Sequence, residues 1–82
     1  MYREEVIIPK DIFNRTAANL VHQTSQVHMP TVFVEKDGRR ANACSLLGLL
    51  SLRLLKGEKV SLVSTSKENL NKVLTLFQNI DE

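Results

Sequence analysis

The chain has 82 residues, 43% hydrophobic and 24% charged, with a formal net charge of +2. That length holds one domain, residues 1–82, burying roughly 60–65% of its unfolded surface, and the charge is too small to argue for nucleic acid. A lone cysteine, Cys44, excludes an intrachain disulfide framework, no run reaches the roughly 18 apolar residues of a membrane span, and the acid-bearing opening Met1-Tyr2-Arg3-Glu4-Glu5 has no signal-peptide pattern. A cytoplasmic location is therefore expected.

Residues 2–8 read as a strand, with Val6-Ile7-Ile8 as its β-branched centre and Pro9 as its stop. Lys10-Asp11-Ile12-Phe13 is a short connection. Asn14 suits an N-cap, and Ala17, Leu20, Val21 and Thr24 follow at a spacing that predicts a helix over 15–26. A break at 27–30 precedes a second strand, 31–36. Asp37-Gly38 is a two-residue hairpin signal, which makes 39–43 the antiparallel partner. A helix then starts at Ser45 and is expected to run to about 56, with Gly57 as its C-terminal cap. Residues 59–65 alternate as a fourth strand. Thr65-Ser66-Lys67-Glu68 has the form of a capping box, threonine with glutamate three residues on, and Leu70, Val73, Leu74, Phe77 and Ile80 line one face of the last helix. No internal repeat or linker interrupts this order. One sheet covered on one face by helices, an α+β arrangement, is the economical solution.

The second helix carries the most information. At roughly 100° per residue, Leu49 and Leu52 point one way, while Leu46, Leu47 and Leu50 cluster on nearly the opposite side. A small domain buries only one such face, so the other is expected to be exposed as a partner-docking patch. Ser45 begins it, at a position where a hydroxyl accepts from the amides of the first turn, and where a phosphate would meet the positive helix end.

The order strand, helix, strand, strand, helix, strand, helix resembles the HPr phosphocarriers of the bacterial sugar phosphotransferase system. Within that family the nearer likeness is to the Crh type, HPr-like regulators of catabolite repression. The resemblance spans nearly the full chain. It is strongest over Val34-Glu35-Lys36-Asp37-Gly38-Arg39-Arg40-Ala41-Asn42-Ala43-Cys44-Ser45-Leu46-Leu47-Gly48-Leu49-Leu50-Ser51-Leu52, which is similar to the family's hairpin, regulatory serine and second helix. Arg15-Thr16-Ala17-Ala18 is similar to the Arg-Pro-Ala-Ala of the family's first helix. The fold so implied is an open-faced β-sandwich, a four-stranded antiparallel sheet with three helices on one face.

The resemblance also implies where function is kept and where it is lost. Phe13 stands where the family has its phosphorylated histidine, and a phenyl ring has no nucleophilic nitrogen. Asp11 and Thr16 replace a glycine and a proline nearby, and an acid there is expected to repel phosphate. Arg15, with Asn14, is left as an anion-binding remnant. Ser45 matches the serine phosphorylated by a dedicated kinase, and Leu46, Leu47 and Leu50 match the apolar residues that dock on that kinase and on a transcription regulator of the catabolite-control type. Cys44 replaces a common lysine at that place.

Blander readings stand beside these. Ser45 is also an ordinary capping residue, and the two roles are compatible. His22 falls on the polar side of the first helix and His28 in a loop, so both read as surface residues. No Cys/His cluster has metal spacing, no nucleophile elbow is present, and neither a cofactor nor an enzymatic activity is expected. Two other functions remain open. One is a phosphocarrier using another residue. The other is a small α/β nucleic-acid binder using Lys36, Arg39, Arg40 and Lys59, although only Phe33 and Tyr2 are available for base stacking. A homodimer is likewise left open.

Overall fold

The computed structural model describes residues 1–80. Its elements are β1 (Tyr2–Ile7), α1 (Asn14–Thr24), β2 (Val32–Lys36), β3 (Arg39–Asn42), α2 (Leu46–Leu52), β4 (Lys59–Ser64) and α3 (Lys67–Gln78). The strands form one antiparallel sheet in the order β1-β4-β2-β3, with Val6 opposite Val60 and Val34 opposite both Leu62 and Ala41. Strand alternation turns Val6, Val34, Ala41, Val60 and Leu62 to one face. There they meet Leu20 of α1, Leu49 and Leu52 of α2, and Leu70, Val73 and Phe77 of α3 in one core cluster. The expected α+β open-faced sandwich is what forms.

The other face of the sheet carries no helix, yet it is not an apolar patch. Val63, cross-strand partner of both Arg3 and Phe33, is fully buried there, outside the core cluster. Arg3 reaches across β4 to the Glu35 carboxylate at 2.8 Å, and Arg40 donates to the same carboxylate while its guanidinium stacks 5.1 Å from the Phe33 ring centroid. Hydrogen bonds from Arg40, then Arg3, hold the Glu35 carboxyl below its ordinary value. Two arginines, one carboxylate and one aromatic ring thus make up a polar network on the open face.

Asp37 and Gly38 adopt φ of 51° and 78°, and Lys36 pairs with Arg39, which is the two-residue turn the sequence signals. A Cβ at Gly38 would meet nothing within 4 Å, so a substitution there is penalised through the backbone alone. Gly38→Val should lower stability by about 1–2 kcal/mol. An unchanged melting temperature would refute this account of the turn.

Four helix ends differ from expectation. Asn14 does not cap α1; Phe13 occupies the cap position in extended backbone with no side-chain hydrogen bond, and Asn14 itself sits at φ 47°. The helix stops at Thr24 rather than at 26, because the Thr24 hydroxyl bonds the Val21 and Ala43 carbonyls. The cap of α3 is Ser66, not Thr65: its hydroxyl accepts from the Asn69 amide at 3.1 Å. Finally, α2 ends at Leu52, where Arg53 takes left-handed backbone at φ 54°, and Gly57 serves a later turn at φ 91°.

Candidate functional site

Ser45 is positioned by the turn that leaves β3. The Asn42 side chain accepts from the Cys44 amide at 2.7 Å, and the Asn42 carbonyl accepts from the Ser45 amide at 2.9 Å. The turn is tied to the end of α1 twice, by the Thr24 hydroxyl on the Ala43 carbonyl (2.7 Å) and by the Cys44 thiol on the Thr24 carbonyl (3.2 Å). Ser45 is thereby extended, and its Oγ accepts from the Gly48 amide at 3.0 Å, a cap worth about 1 kcal/mol.

Gly48 is where α2 presses onto the sheet. A Cβ there would stand 3.0 Å from the Ala41 Cβ and 3.0 Å from Ser45 Oγ. Overpacking of this kind costs about 1–3 kcal/mol, against about 1 kcal/mol gained when alanine replaces a helical glycine. Gly48→Ala should therefore destabilise modestly in a thermal melt, and adding Ala41→Gly should recover part of the loss. A more stable Gly48→Ala protein would show that the contact relaxes freely.

The leucines divide as their spacing predicts, with one difference. Leu49 and Leu52 are buried, Leu47 is 80% exposed and Leu46 39%. Leu50, expected with the exposed pair, is half-buried and packs against the core, because it lies at the edge of the stripe begun by Leu49. At the other end of α2, cations from the hairpin meet the free carbonyls and the negative helix end. Arg39 donates to Ser51 O at 3.0 Å, and Lys36 Nζ to Leu52 O at 3.0 Å and Arg53 O at 2.5 Å. Lys36 also bonds the Glu58 carboxylate at 2.9 Å; that bond, then one from the Leu55 amide, lowers the Glu58 pKa.

The start of α1 lies against the loop that follows α2. Ile12 N donates to Leu54 O at 2.9 Å, Ile8 N to Glu58 O and Gly57 N to Ile8 O, both at 2.8 Å. Asp11, expected only to repel phosphate, accepts from the Lys56 amide at 2.8 Å and so fastens this junction. Phe13 is 37% exposed beside it, followed by exposed Asn14 and Arg15. His22 lies nine residues beyond Phe13, about 13 Å along the helix, and His28 is in the loop after it. Neither histidine is at the helix start.

The basic residues weighed for nucleic acid each have a partner within the chain, Lys36 and Arg39 at the end of α2, Arg40 on Glu35 and Lys59 near Glu5 at 3.8 Å, although Arg39, Arg40 and Lys59 stay exposed. Among the described residues no group of three or more His, Cys, Asp or Glu is arranged to hold a metal, and no helix is long and apolar enough to cross a membrane. Sequence reasoning missed Lys36, Arg39 and Asp11 as tertiary caps. No local signal marks a side chain whose partner is a distant backbone.

With this geometry in hand, comparison with known proteins places the chain. The family model described as "PTS HPr component phosphorylation site" matches residues 3–79, and the chain belongs to that HPr family of phosphocarrier-type proteins. It is similar to the HPr-like protein Crh of Bacillus subtilis, 31% identical over 95% of this chain and 91% of that one. Its fold is similar to HPr-C-His of Thermoanaerobacter tengcongensis, with a TM-score of 0.85 and 26% identity over 100% of this chain and 99% of the other. A crystal structure of B. subtilis Crh, described with catabolite repression and as a dimer with a swapped domain, superposes with a TM-score of 0.73 at 30% identity, covering 100% and 97%.

Proposed function

We propose that this HPr-like chain, a single domain over residues 1–82, has lost the histidine relay and acts as a non-catalytic, cytoplasmic regulatory module controlled at Ser45. One observation supports it above the rest: the Ser45 hydroxyl caps α2 immediately before the exposed Leu46 and Leu47. Phosphorylation there adds roughly −1.5 to −2 charge beside first-turn amides, and a charge near that helix end is worth about 0.3–1 kcal/mol. That is too little for a folding switch. Its consequence lies in recognition, because a dianion next to Leu46, Leu47 and the partly buried Leu50 offers a partner both an arginine target and an apolar anchor. The partners of this reading are an HPr-kinase-type enzyme and a transcription regulator of the catabolite-control type; the dimer described for Crh supports a homodimer as well. At the start of α1, Phe13 offers no acceptor, and Arg15 with Asn14 keeps an anion-holding role.

The test is phosphorylation followed by intact mass. An HPr-kinase-type enzyme with ATP should add one phosphoryl group to the protein and none to Ser45→Ala, which should melt within about 1–2 kcal/mol of the parent because only a cap is lost. Phosphoenolpyruvate with the general phosphotransferase enzyme should add none to either. Acid-labile phosphate on His22 or His28 would establish a phosphocarrier using another residue, and failure of the kinase reaction would end the serine reading.

A further inference from the structure

Thr24, the last residue of α1, is fully buried, and a buried threonine ordinarily does no more than return its hydroxyl to its own helix. The Val21 carbonyl, 3.1 Å away, would satisfy it alone. A hydroxyl has one proton to give, however, and the nearer acceptor is the Ala43 carbonyl at 2.7 Å, 19 residues on in the chain. The same residue also accepts, since the Cys44 thiol donates to the Thr24 carbonyl at 3.2 Å. Bonds therefore run both ways between the end of α1 and the two residues before Ser45. Ala43 is anchored from the sheet as well, its amide donating to the Val32 carbonyl at 3.0 Å. On the other side, the Gly48 amide fixes the Ser45 hydroxyl at 3.0 Å.

We propose that Thr24 is a positioning residue for phosphoryl transfer to Ser45, an inference that rests on the serine reading above. An acceptor hydroxyl on a loose turn has to be ordered when a kinase docks, and that ordering is subtracted from the binding energy. Thr24 orders the turn beforehand, from inside the fold and without touching Ser45. Its loss is felt in KM. Once the complex has formed, the kinase's own contacts align the hydroxyl, so kcat is kept.

Thr24→Val keeps the shape of the side chain and removes the hydroxyl. Val6→Ala, in the strand at the opposite edge of the sheet from β3, is the control: it opens the core without a change near Ser45. Amide hydrogen exchange of Ser45 and Gly48 should quicken about tenfold in Thr24→Val, the equivalent of one buried hydrogen bond, and stay at the parent rate in Val6→Ala. With an HPr-kinase-type enzyme and ATP, KM for Thr24→Val should rise about five- to tenfold with kcat within about twofold of the parent. Thr24→Ser, which keeps the hydroxyl, should match the parent in both. Cys44→Ala, at an exposed position, drops only the thiol bond and should move both readouts the same way by about two- to threefold, which decides the case if Thr24→Val does not fold. Exchange or KM in Thr24→Val no different from Val6→Ala would overturn the role and leave the serine reading standing. If the parent takes no phosphoryl group, the serine reading fails and this role with it.

Discussion

Leu49→Asp should leave the protein unfolded, whereas Leu47→Asp should fold normally. The two leucines are two residues apart on a seven-residue helix, yet Leu49 is fully buried and Leu47 faces water. Removing the Leu49 side chain from the core forfeits about 1.5–3 kcal/mol of transfer energy, and burying a carboxylate without a partner adds several more. A domain of this size has about 5–15 kcal/mol in total and belongs at the low end. At position 47 the same substitution exposes a charge already in solvent, in a first turn where an acid is favourable by about 0.3–1 kcal/mol. Far-ultraviolet circular dichroism against temperature separates the outcomes. In binding, Leu47→Asp should weaken docking of phosphorylated and unmodified protein alike, because charge then enters the apolar contact. A harmless Leu49→Asp would turn the helix over and remove the docking surface with it.

At Asn69, the nearly isosteric Asp should destabilise more than the dissimilar Leu. Asn69 is a buried polar residue of α3, and its Nδ2 donates to the His28 carbonyl at 2.6 Å and to the Pro30 carbonyl at 2.9 Å. Both acceptors lie in the connection into β2. Asn69→Leu removes the donor and strands two part-buried carbonyls, for about 2–4 kcal/mol in all. Asn69→Asp removes it too, and sets a negative charge against the same two oxygens. Urea midpoints should fall in the order parent, Leu, Asp. A more stable Asp variant would mean that the loop re-bonds to water, and that Asn69 holds nothing in place.

Much of the fold was legible because its signals are local. Asp37-Gly38 fixes a turn by backbone chirality, and the spacing of Leu70, Val73 and Phe77 fixes the buried face of α3. The burial of Leu49 and the exposure of Leu47 followed from helical geometry alone. What was not legible depends on partners far away in sequence. The leucine run continues through Leu54 and Leu55, so nothing local ends α2 at Leu52; Lys36 and Arg39 do so from the hairpin, 16 and 12 residues away. Asp11 read as an acid near a phosphate site because its true partner, the Lys56 amide, is 45 residues off. The site splits the same way. The cap at Ser45 was visible in its helix-start pattern, while the close approach of Gly48 to Ala41 needed the sheet.

The strand order has a consequence for how the chain is made. β4 is synthesised last of the strands, yet it lies between β1 and β2, bonded to each. Only the β2–β3 ladder joins neighbours in sequence, so until residue 64 has left the ribosome the emerging polypeptide has one hairpin and no sheet. During that interval Val6, Val34 and Ala41 have no core to enter, and β1 has no strand beside it. Non-local pairing of this kind is slow and leaves apolar strands open to other chains. The nascent protein therefore gains its stability late and nearly all at once, and a product cut short before Lys59 should be cleared by proteases rather than accumulate as a smaller folded form.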